Sequence, residues 1–275
     1  MSALLQQVKT GTTQAPHRVM VYGQHGVGKS SYAAQAEKPI FIQTEDGLGE
    51  IDCAKFPLAE DYDAVVQALT ELYSEEHPYR TVVVDTLDWL ERLIWQEVCR
   101  VRGVENIEDI GYGKGYSFAL TYWREVLEGL QALRTDRGMM VILIAHCQVE
   151  KFQSPMSDTY DRYGPRLHKH ASAVTQEWCD EVLFATYNVD TKTVDEGFDR
   201  KRTRAVGQAR RIVYTTEGPA HVAKHRIPEL PAELPLDYRA FADYLPSPRR
   251  RGTMADKPAV AQAQNHINNT NQQGD

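Results

Sequence analysis

The first 145 residues alternate between short apolar runs and longer amphipathic stretches, a pattern that predicts strands and helices in turn. Continuous apolar runs are typical of strands buried on both faces of a parallel sheet. Such runs occupy residues 18–22, 40–43, 81–85 and 139–145. Apolar residues at helical spacing predict helices over residues 30–37, 59–76, 87–101 and 116–130. Because this alternation implies βαβ crossovers, we expect an α/β fold with a mainly parallel sheet flanked by helices.

The pattern changes after the fourth apolar run. Residues 148–176 are polar, carry prolines at positions 155 and 165, and show little periodicity, which predicts a long functional loop. Strand-like runs return at residues 181–186, 211–215 and 221–225. Turn residues separate the last two runs, so we expect these two to pair as a C-terminal hairpin at the edge of the sheet.

The two ends of the chain differ in composition from its middle. Residues 1–16 are polar and are expected to form an arm that leads into the first strand. Residues 246–275 are rich in Pro, Arg, Ala, Asn and Gln and carry almost no large apolar side chain. Such a composition cannot bury enough apolar surface to fold, so we expect a disordered tail. The ordered domain is therefore expected to span residues 17–245.

A phosphate-binding motif follows the first apolar run. Residues 23–30 read Gly-Gln-His-Gly-Val-Gly-Lys-Ser, which fits the pattern GxxxxGK[ST] between a predicted strand and a predicted helix. Glycines let backbone N–H groups turn inward around a β-phosphate. Lys29 would reach the β- and γ-phosphates, and the Ser30 hydroxyl would bind Mg²⁺. The motif therefore predicts ATP and Mg²⁺ as ligands. The expected nucleotide-binding residues are Gly23, Gln24, His25, Gly26, Val27, Gly28, Lys29, Ser30 and Ser31.

Three further polar residues follow predicted strands and are candidates for the same site, because ligands lie at the carboxyl ends of parallel strands. Asp85 ends the third apolar run and would complete the Mg²⁺ site with Ser30, although it could instead cap the next helix. Glu45 would orient or activate the attacking water; the alternative is a solvated loop acid. His146 would sense the γ-phosphate; the alternative is a structural histidine.

Composition narrows the choice of partners and compartment. The formal net charge of −7 gives no global case for nucleic-acid binding, so any such case rests on local clusters. No apolar run approaches the length of a membrane span, and we expect no membrane partner. Four cysteines lie far apart with no CxxC pair, which disfavours a zinc site and disulfides and suits a reducing cytoplasm.

Two clusters combine aromatic and basic side chains, as single-stranded nucleic-acid sites do. Tyr112, Lys114 and Tyr116 lie on or next to a glycine-rich segment; the alternative is that the tyrosines pack the start of a helix. Within residues 148–176, the basic candidates are Arg162, Arg166 and Lys169. A basic region between residues 200 and 211 could add to them or could be a solvated hairpin face.

The order of these motifs resembles the RecA-type core, and more specifically the compact phage-encoded RecA-like ATPases of single-strand annealing and recombination, an AAA-type nucleotide-binding family. The resemblance covers residues 17–245. It is carried by the segments GQHGVGKS, FIQTEDG, VVVDTLDWLE, GYGKGY, ILIAH, YDRYGPRLHKHA and AKHR. RecA itself has Gln or Asn-Gln where this chain has His146, so the coupling of the γ-phosphate to DNA can differ.

The resemblance implies roles that the residues alone do not establish. In the family, the segments around residues 111–115 and 148–176 contact single-stranded DNA at the axis of a filament or ring. A Lys/Arg pair near Lys224 and Arg226 reaches the γ-phosphate of the neighbouring subunit, although here these cations could instead pair with local acids. The implied partners are single-stranded DNA, further copies of the chain and a single-strand-binding protein. The implied location is the cytoplasm, that of the host if the protein is phage-encoded.

We therefore expect an ATP-hydrolysing RecA-like protein that acts on single-stranded DNA in phage recombination or replication, as an annealing protein or mediator. The alternative is a nucleotide-switched helicase loader or regulatory ATPase that acts through protein contacts. A small-molecule kinase ranks last, because the two long polar segments would have no role in it.

Overall fold

The computed structural model describes residues 7, 8, 10, 11, 15–155, 157–195 and 201–246. The predicted tail from residue 247 onward and most of the predicted arm over residues 1–16 lie outside them. In chain order the elements are β1 (Arg18–Gly23), α1 (Lys29–Ala33), β2 (Pro39–Gln43), β3 (Ala54–Lys55), α2 (Tyr62–Ser74), β4 (Thr81–Asp85), α3 (Leu87–Arg102), a 3₁₀-helix (Ile107–Ile110), α4 (Lys114–Asp136), β5 (Met140–Ser154), β6 (Ser157–Pro165), α5 (Lys169–Trp178), β7 (Glu181–Asp195), β8 (Lys201–Tyr214), β9 (Glu233–Pro235) and α6 (Tyr238–Ala242).

These strands form a sheet in the order β3-β2-β4-β5-β1-β7-β8-β9, with β6 paired to the far part of β5. The pairs from β3 to β7 are parallel, and β7-β8 and β8-β9 are antiparallel. The expected α/β fold with a mainly parallel sheet is therefore confirmed. The register places Gly23 beside His146, and Gln43 beside Asp85. The carboxyl ends of β1, β2 and β4 thus lie along one edge with His146 in the middle of β5, and we call this edge the rim.

Helices cover both faces of the central strands, which explains why these strands read as continuous apolar runs. On one face, Met20, Val82 and Leu143 pack in a core with α2, α3 and α4. On the other face, Val21 and Ile142 pack in a second core with α1 and α6. Neighbouring residues of a strand point to opposite faces, so each of these strands needs apolar side chains at successive positions.

The expectation of a long loop over residues 148–176 is wrong. Instead β5 continues to Ser154 and pairs antiparallel with β6, and α5 follows. Beyond residue 145 the side chains of β5 are half-buried or exposed. Backbone hydrogen bonds hold this hairpin, so its strands do not need the apolar pattern by which the buried strands are recognised.

The expected pairing of residues 211–215 with 221–225 is also wrong, although a C-terminal hairpin is present. It is formed by β7 and β8, and β8 then pairs with β9 at the edge of the sheet. Residues 221–225 make only isolated bridges, His221 to Tyr163 and Gly218, and Lys224 to Val182. The turn residues at 217–219 therefore close a tight Gly218–His221 turn and do not join two long strands.

Two helix bounds differ from the predicted ones. Helix α1 ends at Ala33, earlier than the predicted residue 37, and α4 begins at Lys114, inside the predicted glycine-rich loop. All four cysteines are free. Among the described residues, no helix is both long and apolar enough to cross a membrane.

Candidate active site

The phosphate-binding motif forms a loop between β1 and α1, as predicted. Gly26 and Gly28 have φ angles of 71° and 107°, in the left-handed region that side-chain-bearing residues rarely adopt. Gly23 is fixed for a different reason. A Cβ at Gly23 would lie 2.1 Å from the carbonyl oxygen of Ala185 on β7. The loop therefore needs these glycines to keep its backbone free to face a phosphate.

Lys29 is held inside this loop. Its side chain is buried, with the residue only 5% exposed, and its Nζ donates to the carbonyl oxygens of Gly23 at 3.1 Å and Gln24 at 2.9 Å. Burial lowers the pKa of Lys29, while the charges of Asp85, Asp88 and Glu45 act in the opposite direction. A desolvated ammonium group at the centre of a glycine loop suits a polyanion such as the triphosphate of a nucleotide.

Ser30 and Asp85 meet at the rim, where the sequence predicts a Mg²⁺ site. The Ser30 hydroxyl donates to the Asp85 carboxylate. Burial raises the pKa of Asp85, and the hydrogen bond from Ser30 and the charge of Lys29 offset only part of this effect. The N-cap of α3 is Thr86, and no side chain caps that helix, so Asp85 does not serve as its cap. A hydroxyl beside a buried carboxylate is an oxygen set that fits Mg²⁺.

Glu45 lies on the same rim, beside the predicted sensor. Its carboxylate accepts a hydrogen bond from the Thr86 hydroxyl at 3.2 Å and lies 3.9 Å from Nδ1 of His146. The segment that carries Glu45 is tied to β4, because its N–H and that of Thr44 both point at the carbonyl oxygen of Asp85. Glu45 after β2, Asp85 at the end of β4 and His146 within β5 are thus brought together.

His146 is anchored by Asp88, an acid in the first turn of α3 that the sequence reading missed. Nδ1 of His146 lies 3.1 Å from both carboxylate oxygens of Asp88, and the His146 backbone N–H donates to one of them at 3.0 Å. Arg166 donates to the other oxygen and lies 3.3 Å from Nδ1 of His146. Burial alone would raise the pKa of Asp88, but the hydrogen bonds from His146 and Arg166 prevail and hold this pKa well below its ordinary range. Asp88 is therefore a buried anion that joins the rim to Arg166.

Glu91, one turn further along α3, is a second buried acid that was missed. It is 5% exposed and accepts the backbone N–H of His168 at 3.0 and 3.1 Å. Burial raises the pKa of Glu91 to about 7, with the charge of Asp88 adding to the effect and the His168 bond opposing it. The His168 ring stacks on Tyr116 with 4.0 Å between ring centroids. Glu91 and this stack connect α3 to the starts of both α4 and α5.

The predicted DNA-binding residues near α4 differ in their surroundings. Tyr112 is fully exposed and Lys114 is exposed at the first position of α4. Tyr116 contacts His168 with one face, contacts the Trp95 ring and donates its hydroxyl to Glu108. Packing of Tyr116 against its neighbours agrees with the alternative that it supports the helix start.

The basic candidates of the second segment differ in the same way. Arg162 lies over the Phe152 ring at 4.0 Å and forms ion pairs with Glu150 and Glu217. Its charge is therefore already compensated by acids of the same chain. Arg166 pairs with Asp88. Lys169 is exposed at the first position of α5. The stacked Tyr116 and His168 rings place Lys169 on the same side of the molecule as the start of α4.

Lys224 and Arg226 lie at the opposite end of the sheet from the rim. The backbone of Lys224 forms a β-bridge with Val182 on β7. Val182 lies three residues before Ala185, the β7 residue opposite Gly23, which is about 10 Å along the strand. Arg226 approaches Asp180 at 3.5 Å. Burial lowers the pKa of Lys224. The contact of Arg226 with Asp180 agrees with the alternative that these cations pair with local groups.

Glu91→Gln tests the raised pKa of Glu91 through the pH dependence of protein stability. Because the folded-state pKa of about 7 exceeds the ordinary value of 4.5, the folded protein keeps a proton that the unfolded chain loses between these values. The wild-type protein should lose on the order of 3 kcal/mol of stability across this window as pH rises, and the variant should lack this component. The measurement is the free energy of unfolding in urea at pH 5 and pH 8.

An exposed acid on α4, Glu128, provides the matched control as Glu128→Gln. Relative to wild type, Glu91→Gln should have a higher free energy of unfolding at pH 8 than at pH 5. For Glu128→Gln, the difference from wild type should be the same at both pH values. A pH-independent difference for Glu91→Gln would contradict the assignment.

Comparison with known proteins shows the family to which the chain belongs. Residues 15–227 match the AAA_24 family, which is described as an AAA domain. The SPbeta prophage-derived uncharacterized protein YorG of Bacillus subtilis (strain 168) is 26% identical over 223 residues, which are 79% of this chain and 61% of that protein. The chain thus spans less than two thirds of the length of this curated relative.

A solved structure of the RadB recombinase is also similar, with a TM-score of 0.41 and 14% identity over 73% of this chain and 89% of that one. These values are too low to carry an argument about function. The family match covers most of the chain and includes every rim residue described above. The chain therefore belongs to the AAA domain family.

Proposed function

We propose that the protein hydrolyses ATP with Mg²⁺ and uses this cycle to act on single-stranded DNA, as an annealing protein or mediator in phage recombination or replication. One observation carries the proposal. The buried acids of α3 connect the rim to the segment that would meet DNA, Asp88 by binding His146 and Arg166, and Glu91 by binding His168.

Each group of rim residues would have a separate role in hydrolysis. The loop N–H groups and Lys29 would bind the phosphates, and Ser30 and Asp85 would hold Mg²⁺, which neutralises phosphate charge when bound. Among the described residues, the Glu45 carboxylate accepts a hydrogen bond only from the Thr86 hydroxyl. Glu45 could therefore orient a water for in-line attack and take its proton.

His146 would report the state of the γ-phosphate. In the structure its Nδ1 is occupied by Asp88, so turning the ring toward a phosphate would weaken that contact. Asp88 would then rely more on Arg166, because a buried carboxylate that loses a partner is strongly destabilising. ATP binding would in this way change how firmly the β6–α5 segment is held.

The DNA-facing surface would be formed by the starts of α4 and α5. Tyr112 offers an exposed ring on which a base can stack, and Lys114 and Lys169 offer exposed cations for phosphates. Tyr116 would position this surface through its stack on His168. Arg162 and Arg166 would support it, since both are already paired with acids. A local surface of this kind does not require a net positive chain.

Assembly into a ring or filament would complete the site. Arg226 is exposed and remote from the P-loop of its own chain, as a residue acting on a neighbour's nucleotide must be. The proposed partners are therefore other copies of this chain and single-stranded DNA, with a single-strand-binding protein as a further candidate.

Glu45→Gln separates binding from chemistry. The amide keeps the shape of the side chain but cannot accept a proton, so turnover should fall by about 10²- to 10⁴-fold while ATP affinity is kept. Single-turnover hydrolysis and equilibrium binding of a fluorescent ATP analogue measure the two quantities. Asp46→Asn, at the exposed neighbouring acid, is the control and should change neither. Loss of ATP affinity in Glu45→Gln would assign Glu45 a structural role instead.

Replacing Tyr112 and Lys114 together by alanine tests the DNA surface. Wild-type hydrolysis should rise when single-stranded DNA is added, and in the variant the ratio of rates with and without DNA should fall toward one. The DNA affinity should fall about 5- to 100-fold for one lost stack, and the log–log salt slope should fall by about 0.7 for one lost phosphate contact. Filter binding at several salt concentrations measures both.

Tyr73→Ala, at an exposed tyrosine on α2, is the control and should bind DNA like wild type. The DNA proposal would be rejected if wild-type protein showed neither DNA retention at moderate salt nor stimulation of hydrolysis. If ATP then still changed the affinity for a protein partner, the loader or regulatory ATPase would be the better description.

Subunit mixing tests the proposed action of Arg226 across an interface. Arg226→Ala alone should lose on the order of 10³-fold in turnover, and Lys29→Ala alone should be inactive. In an equal mixture, random assembly pairs an intact P-loop with an intact Arg226 at about a quarter of interfaces, so activity should return to about that fraction. Arg239→Ala, at an exposed cation on α6, is the control. A mixture as inactive as its components would contradict action in trans.

A further inference from the structure

Arg211 on β8 lies against the phosphate-binding loop from outside the rim. Its Nη1 is 3.2 Å from the position that a Cβ on Gly28 would occupy, and Leu236 is the next side chain there at 3.8 Å. Arg211 is exposed, and with the described part of the chain its guanidinium forms neither a hydrogen bond nor an ion pair. A cation with no polar partner among the described residues, placed next to a glycine of a phosphate-binding loop, is available to bind an anion there.

The hairpin that carries Arg211 is fixed to the same loop by a second contact. Tyr187 on β7 is the cross-strand neighbour of Arg211, and its hydroxyl donates to the carbonyl oxygen of Gly26 at 3.1 Å. Because Tyr187 anchors β7 and Arg211 stands opposite it on β8, the guanidinium is held at the loop by the sheet itself. The neighbouring residue Arg210 is also exposed, but it stands opposite Asn188 on β7 and not opposite Tyr187.

The position of Arg211 relative to the rim indicates which part of a nucleotide it would meet. Strands β2, β4 and β5 lie on one side of β1, and β7 and β8 lie on the other. The residues proposed for Mg²⁺ and the attacking water, Asp85 and Glu45, lie at the carboxyl ends of strands on the first side. With Asp85 and Glu45 in these proposed roles, the γ-phosphate points to that side, and the α-phosphate and nucleoside then lie toward β7 and β8.

We propose that Arg211 binds the α-phosphate of the nucleotide held by its own subunit, with Tyr187 positioning it. This inference rests on the proposed binding of ATP at the loop. Arginine is suited to the role because its planar guanidinium donates two parallel hydrogen bonds to phosphate oxygens and never loses its charge. Of the basic region between residues 200 and 211, Arg211 would therefore bind the nucleotide.

Arg211→Gln tests the assignment with ADP, which has an α-phosphate but no γ-phosphate. Equilibrium binding of fluorescent ADP and of a fluorescent non-hydrolysable ATP analogue to the full-length protein should weaken by about 10- to 100-fold, and by the same factor for both. Arg211→Lys should lose less, because it keeps the charge. Arg210→Gln, the neighbour on the same strand, should bind both like wild type. Thermal melting followed by circular dichroism confirms that each variant is folded.

Each other outcome rejects a definite part of the account. If wild-type protein binds neither nucleotide, the proposed ATP function fails and this inference fails with it. If wild type binds ADP and Arg211→Gln binds it equally well, only the inference about Arg211 is overturned. Weakening for the ATP analogue alone would move Arg211 to the γ-phosphate, and equal weakening in Arg210→Gln would reduce the effect to general electrostatics. Either result overturns the α-phosphate assignment.

Discussion

The site depends on the register of the parallel strands. Because β1 pairs with β5 and β4 pairs with β2 and β5, Gly23, Asp85 and His146 lie close to one level of the sheet. Side chains that follow these strands therefore emerge at one rim regardless of their distance in sequence. A shift of one strand by one residue would turn its buried side chains to the other face, and both cores oppose such a shift. The packing of the sheet thus holds the chemistry in place.

Helix α3 extends that order from the rim to the molecular surface. A buried carboxylate is costly unless it is paired, and α3 carries two within one turn, Asp88 and Glu91. Each is satisfied by a different element beyond the rim: Asp88 by His146 and Arg166, and Glu91 by the start of α5. These bonds give a physical route by which the occupancy of the loop could alter the segment proposed to meet DNA. An apolar face of α3 would pack equally well but would make no such connection.

The sequence predicted what depends on local patterns. The loop at residues 23–30 and the strand ending at Asp85 follow from a motif and from continuous apolar runs, and both lie where expected. The hairpin of β5 and β6 escaped prediction because it is largely solvated, so its strands carry no apolar period. Asp88 and Glu91 look like ordinary helix acids until α3 is packed, and Arg211 meets Gly28 only because β8 lies two strands from β1. Tyr112 and Tyr116 read alike in sequence and differ only in what surrounds them.

The central claim is that the loop before α1 binds a triphosphate whose Mg²⁺ lies between Ser30 and Asp85. A crystal structure with Mg²⁺ and a non-hydrolysable ATP analogue tests it most directly. We predict phosphates within the loop, Nζ of Lys29 in contact with phosphate oxygens instead of the carbonyl oxygens of Gly23 and Gln24, and Mg²⁺ bound through the Ser30 hydroxyl next to Asp85. A nucleotide bound elsewhere on the protein, or a loop that stays empty at saturating nucleotide, would contradict the account.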